Sequence, residues 1–75
     1  MPSATDRIVK SRHTLARYKA MIADGVIPFA DLPLMADEVV ELERIAAERP
    51  EKAATLASLV NEWKALQAEV MKKAN

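Results

Sequence analysis

Residues 25–35, GVIPFADLPLM, connect two segments with helical periodicity, and this connection decides how the chain can fold. Connections between helices are usually polar, because they run over the protein surface. This one is rich in large apolar side chains and proline: Val26, Ile27, Pro28, Phe29, Leu32, Pro33 and Leu34. A segment this apolar is stable only where it is covered. We expect it either to close one end of a helical bundle or to present Phe29 and Leu32 to a partner.

The segment before this connection predicts a first helix over residues 4–24. Ser3 and Asp6 have the spacing of a capping box at its N-terminus, and Gly25 favours a helix end because glycine adopts the left-handed conformation. Apolar positions at helical spacing form two separate stripes. The first contains Ile8, Leu15 and Ile22, with Ser11 and Tyr18 between them, and the second contains Val9, Ala16, Ala20 and Ala23.

A linker over residues 25–32 leads to a second helix, predicted over residues 33–48, with Asp31 as its cap or first-turn acid. The stripe expected to be buried contains Met35, Val39, Leu42 and Ala46. Three further apolar residues fall outside this stripe: Leu34, Val40 and Ile45. Helix 2 therefore carries more apolar surface than three short helices are expected to bury.

The third helix is predicted over residues 50–73, with Pro50 at a first helical position that tolerates proline. It has the clearest apolar arc in the chain, which predicts the core helix: Leu56, Leu59, Val60, Trp63, Leu66, Val70 and Met71. A tight turn at Pro50 would make helices 2 and 3 an antiparallel hairpin. The alternative is one kinked helix of about 40 residues, because the stripe of helix 2 continues in phase across Pro50, at a cost of ~3 kcal/mol.

The size and composition of the chain limit the fold to one small domain, residues 1–75. The absence of cysteine excludes disulfides and thiolate zinc sites. No run approaches the ~18 apolar residues of a membrane span, and the N-terminus lacks a signal-peptide pattern, so we expect a cytoplasmic protein that does not enter a membrane. The predicted fold is an all-α three-helix bundle.

Residue types suited to catalysis are scarce. The chain has one histidine and one glycine, and serine occurs only at positions 3, 11 and 58. An enzyme needs a positioned nucleophile, an acid or base of shifted pKa, or a metal. We therefore expect no enzymatic activity, no cofactor and no metal. Glu38, Glu41 and Glu48 are interpreted as a solvated acidic face of helix 2, with weak binding of a divalent cation as the alternative.

The string His13-Thr14-Leu15 resembles the surroundings of the phosphorylated histidine in histidine phosphotransfer domains. In that family a lysine and then a glycine usually follow, whereas Ala16 and Arg17 follow here. The resemblance covers three residues. It implies a phosphotransfer-like protein as a remote alternative to a plain surface histidine.

Charge is distributed unevenly along the chain, although the formal net charge is zero. Helix 1 carries five basic residues: Arg7, Lys10, Arg12, Arg17 and Lys19. Such a helix is typical of phosphate contacts, so a nucleic-acid-binding regulator is the main alternative function. On a helical wheel, however, the five residues divide into two groups, whereas a groove-reading helix gathers them on one face. Pairing with the acidic helix 2 also accounts for the basic charge.

The surplus of apolar surface favours a different function. A bundle of this size is expected to leave part of that surface exposed as a patch, and sizeable patches mark association sites. We therefore expect a non-enzymatic module that binds a partner protein, as a regulator, inhibitor or minor subunit, and that associates as a homodimer. The residues expected at the contact are Phe29, Leu32, Leu34, Val40 and Ile45.

Overall fold

The computed structural model describes residues 3–74, which form three helices and no strand. In chain order the helices are α1 (Ala4–Ala23), α2 (Leu32–Glu48) and α3 (Ala53–Lys73). A short 3₁₀-helix precedes each of the last two, at Phe29–Asp31 and at Pro50–Lys52. The all-α class and the three-helix bundle predicted from the periodicity of the sequence are confirmed.

The chain reverses its direction between α2 and α3. Arg49 leaves the helical region, with φ −129° and ψ 77°, and Pro50 begins the following turn. The two helices then pack along each other, and Lys64 of α3 lies 4.0 Å from Glu43 of α2. The longest dimension of the molecule is 38 Å, whereas one helix of about 40 residues would be about 60 Å long. α2 and α3 therefore form an antiparallel hairpin and not one kinked helix.

Local hydrogen bonds fix both ends of α1. At the N-terminus, Ser3 Oγ accepts from the Asp6 backbone N–H at 3.1 Å, and the Asp6 carboxylate accepts from the Ser3 N–H at 3.4 Å. At the C-terminus, Gly25 adopts φ +85°, the one positive φ among residues 3–74. The Val26 N–H then donates to the carbonyl of Met21 at 2.9 Å, as in a Schellman motif. The helix therefore begins and ends with the signals present in the sequence.

α3 supplies the largest share of the core. Six of the seven residues in its predicted arc are buried: Leu56, Leu59, Val60, Trp63, Leu66 and Val70. Met71 was predicted to be buried with them and is 58% exposed. It lies at the edge of the apolar arc, about 80° round the helix from the centre of the arc, so the neighbouring helices do not cover it.

α2 buries a wider arc than its stripe predicts. Met35, Val39 and Leu42 are buried as expected, whereas Ala46 is half-buried. Ile45 was placed outside the stripe and is only 7% exposed. The reason is that α2 faces two helices: Ile45 lies on its α1 side, in a hollow shared with Ala4. A helical wheel that assumes a single packing partner places such a residue outside the buried stripe.

α1 packs onto the hairpin with only one of its two stripes. The buried residues are Ile8, Ser11, Leu15 and Tyr18, and Ile22 is half-buried. The other stripe faces solvent, and its largest member, Val9, is 51% exposed. The contacts of Arg7 with Glu38 and of Tyr18 with Asp31 make α1 antiparallel to α2, and therefore parallel to α3. One long face of α1 therefore has no neighbour among residues 3–74.

Candidate interaction surfaces

The linker between α1 and α2 covers the core with only part of its apolar side chains. Pro28 is buried, and Ile27 and Leu32 are half-buried against the core. Val26 and Phe29 remain exposed. The segment therefore closes one end of the bundle and also displays apolar side chains to solvent.

The residues predicted to form a protein interface do not share one surface. Ile45 belongs to the core and Leu32 packs against it, which corrects their placement on a free patch. Leu34 is 59% exposed and lines a groove between α1 and α2. Val40 is 65% exposed and lies about 140° round α2 from Ile45, on the side away from α1. Of the predicted set, Phe29, Leu34 and Val40 are therefore available to a partner.

The outer flanks of α2 and α3 form an exposed surface that we call the hairpin face. It contains Ala36, Val40, Glu43, Lys64, Ala68 and Met71. The ion pair of Glu43 with Lys64 marks the line where the two flanks meet. Val40 lies one turn before Glu43 and Met71 two turns after Lys64. Because the helices are antiparallel, Val40 and Met71 lie on the same side of the ion pair, so the hairpin face has an apolar half.

Two of the five basic residues predicted to contact nucleic acid are engaged within the bundle. Arg7 donates a hydrogen bond of 2.8 Å to Glu38, and both side chains are partly buried between α1 and α2. Lys19 lies 3.4 Å from Glu62 of α3, in an exposed pair. The basic side chains of α1 are therefore divided between its two flanks, as the helical wheel indicates.

The side of α1 opposite the core, which we call the outer face of α1, is exposed and basic. It contains Val9, Arg12, His13, Ala16, Arg17 and Ala20. Five of these, all except Val9, line a shallow hollow of about 440 Å³. Within residues 3–74, neither arginine of this face makes an ion pair. Lys10, the remaining basic residue of the predicted set, lies in the groove between α1 and α2 instead.

A chain of side-chain contacts, which the sequence analysis did not predict, links α3, α1 and the start of α2 around the core. The indole N–H of Trp63 donates a hydrogen bond of 2.9 Å to Ser11 Oγ, and both residues are 1% exposed. The rings of Trp63 and Tyr18 meet edge to face, with their centroids 5.9 Å apart. The Tyr18 hydroxyl then donates to Asp31 at 2.9 Å. The sequence feature that could have indicated these contacts is Ser11, a serine in the middle of the apolar stripe of α1.

The contact between Tyr18 and Asp31 changes the role expected for Asp31. Asp31 occupies the N-cap position of α2, but its side chain makes no capping hydrogen bond. Its carboxylate accepts from Tyr18 instead. Burial, together with this hydrogen bond and the nearby negative charge, raises the pKa of Tyr18 above its ordinary value. Asp31 therefore connects the start of α2 to α1.

The acidic face of α2 is neutralised in part by arginines. Glu38 pairs with Arg7, and Arg44 donates hydrogen bonds to both Glu41 and Glu48. The hydrogen bond from Arg44 lowers the pKa of Glu41.

Among residues 3–74, no three side chains of the metal-binding types are grouped so that they could hold an ion. None of the helices in this part of the chain combines the length and apolar character needed to cross a membrane.

Comparisons of the chain with models of protein families, with characterised proteins and with solved structures give no match. The surfaces described above are therefore the basis for inferring function.

Proposed function

We propose that the protein is a non-enzymatic helical module that acts by binding another protein, as a regulator, an inhibitor or a minor subunit of an assembly, and that it forms a homodimer. The observation that carries this proposal is the apolar half of the hairpin face. Val40 and Met71 are large apolar side chains on neighbouring helices, and both are more than half exposed. Exposed apolar side chains that share one face form a patch of the kind that marks an association site.

The size of the hairpin face suits a dimer of this protein. One long face of the bundle measures 38 by 18 Å between Cα extents, an area of roughly 700 Å². A standard interface buries about 800 Å² on each partner. Self-association through this face would therefore use the whole of one side of the bundle and leave α1 free.

The charges on the hairpin face are also self-complementary. Glu43 and Lys64 lie side by side, on α2 and α3 respectively. A two-fold axis parallel to the helices places α2 of one copy opposite α3 of the other, at the same level along the axis. Glu43 then faces Lys64 of the second copy, and the reverse contact forms by symmetry. The same symmetry places the apolar half of one copy against the apolar half of the other.

The test is the mass in solution, measured by light scattering after size exclusion over a range of concentrations. We expect twice the chain mass of 8.3 kDa for the natural sequence. Val40→Lys with Met71→Lys should give a monomer of unchanged helicity, because like charges then meet at the contact. The matched control is Val9→Lys with Val26→Lys, two apolar residues exposed elsewhere, which should remain dimeric.

Two results would count against the proposal. A monomer of the natural sequence at every concentration would remove the homodimer. Dissociation of the control to the same extent as the Val40 and Met71 variant would show that the contact lies on another face.

A further inference from the structure

We infer that the outer face of α1 binds an acidic amphipathic helix of a different protein. This inference goes beyond the homodimer, because it uses a surface on the opposite side of the molecule from the apolar half of the hairpin face. A dimer formed through the hairpin face would display two such surfaces, one on each copy.

The arrangement of side chains on this face is that of a helix prepared to meet another helix. Val9, Ala16 and Ala20 form an apolar strip along α1, and Val9 is 51% exposed. Arg12 lies on one side of the strip and Arg17 on the other, because each residue advances by about 100° round a helix. Apolar strips bordered by charged residues are what paired helices present to each other. The hollow at this face is shallow, and the small side chains of Ala16 and Ala20 let a partner helix approach α1 closely.

Charge identifies the kind of helix that fits. Residues 7–23 of α1 contain no aspartate or glutamate. Neither Arg12 nor Arg17 has a carboxylate partner among residues 3–74, so their charges are uncompensated at the surface. Acidic residues on both sides of an apolar strip would complement this pattern and would steer the partner into register. A partner with basic borders would be repelled.

A protein helix fits this face better than a nucleic acid does. Binding to a phosphate backbone depends on the number of free cationic side chains. Arg7 and Lys19 are paired with Glu38 and Glu62, which leaves few cations for phosphates. The centre of the face is apolar, and an exposed Val9 contributes nothing to a phosphate contact.

The experiment uses the full chain and a labelled 21-residue helical peptide, with alanine and one leucine along one stripe and glutamate on both sides of it. Fluorescence anisotropy is measured at low and at physiological salt. We expect saturable binding that weakens with salt. Arg12→Gln with Arg17→Gln should weaken it at least tenfold. The control variant, Lys72→Gln with Lys73→Gln, removes the same charge from the end of α3 and should bind as the natural chain does.

A second peptide, with lysine in place of glutamate, tests the role of charge directly. The natural chain should not bind it, whereas Arg12→Glu with Arg17→Glu should. A labelled DNA duplex and an RNA hairpin are titrated in parallel. Three results would overturn the inference: no binding of the acidic peptide, equal losses in both Gln variants, or tighter binding of a nucleic acid that depends on Arg12 and Arg17. The mass of the natural chain and of each variant is also measured by light scattering. A natural chain that is an intact dimer but does not bind the acidic peptide would overturn this inference and leave the homodimer standing.

Discussion

The indole N–H of Trp63 donates a hydrogen bond of 2.9 Å to Oγ of Ser11, a residue 52 positions earlier in the chain. Both groups are shielded from water. This bond gives α1 a defined rotation and a defined height against α3, because an indole N–H buried without an acceptor is costly. Apolar packing alone would allow several nearby arrangements of α1 on the hairpin.

Replacing Ser11 with alanine should therefore destabilise the fold by about 1–3 kcal/mol, since it leaves the Trp63 N–H buried without a partner. Urea unfolding followed by circular dichroism measures the loss. Ser58→Ala is the matched control, because Ser58 is an exposed serine on α3, and its effect should stay within about 0.5 kcal/mol. Equal stabilities for the two variants would mean that the hydrogen bond adds nothing to the fold.

The hydrogen bond between Tyr18 and Asp31 predicts a dependence on alkaline pH. Tyr18→Phe should cost about 1 kcal/mol at pH 7. Because the fold raises the pKa of Tyr18, the neutral phenol is the favoured form. Its contribution is complete below the unfolded-state pKa of about 10 and is lost as the pH rises through the higher pKa of the folded state.

The stability difference between the natural chain and Tyr18→Phe should therefore be constant from pH 7 to about pH 9 and shrink above pH 10. Both proteins share the titration of their lysines, so the comparison isolates Tyr18. A difference that stays constant up to pH 11 would contradict the role given to this hydrogen bond.

Gly25 ends α1 with φ +85°. A β-carbon added at this position would meet no atom within 4 Å, so the cost of a side chain arises from the backbone alone. Gly25→Ala should lower the stability by about 1–2 kcal/mol, and Gly25→Asn by less, because asparagine tolerates the left-handed region better. Thermal unfolding of the two variants checks the order. An alanine variant as stable as the natural chain would show that the linker can adopt another conformation.

The ion pair of Arg7 with Glu38 should be coupled more strongly than that of Lys19 with Glu62. The first pair is partly buried, with 24% and 18% of the two side chains exposed, and the second is about half exposed. Double-mutant cycles with alanine should give about 1–3 kcal/mol for the partly buried pair. The exposed pair should give about 0.2–1 kcal/mol and should weaken with salt. Similar values for both pairs would contradict the packing of Arg7 between α1 and α2.

The extent to which the sequence could predict the fold differs between the helices. For α3 the apolar arc was accurate except at Met71, because this helix contacts both neighbours with one continuous side and Met71 lies at its edge. For α2 the prediction that Ile45 lies outside the buried surface was wrong. The helix packs against both α1 and α3, so its buried surface is wider than the single stripe expected for one packing partner. Ser11 lies within an apolar stripe of α1 with no role that the sequence predicts, whereas in the structure its hydroxyl is the acceptor for Trp63. That pairing depends on the rotation of α1 against α3, which no local pattern encodes.

The candidate interaction surfaces were less predictable than the fold. The sequence indicates that apolar surface is in surplus, but it does not indicate which residues share a face. A wheel of α2 places Leu34 and Val40 about 120° apart, both outside the buried stripe, but it does not show which of them lies beside α1. The position of α1 separates them, because Leu34 faces the groove beside α1 and Val40 faces away from it. Met71 lies on α3, and it shares a face with Val40 only because the turn at Pro50 directs α3 back along α2.

The turn at Pro50 also has a consequence for the order in which the protein folds. It brings together two helices that are adjacent in the chain, so the hairpin closes a short loop, whereas α1 reaches α3 across some fifty residues. Short-range contacts form faster than long-range contacts. We expect the hairpin to form first and α1 to dock afterwards. The fluorescence of the single tryptophan should report when α1 docks, because Trp63 contacts Ser11 and Tyr18 of α1. In a stopped-flow experiment its fluorescence should lag behind the circular dichroism signal, and coincident traces would show that the three helices assemble in one step.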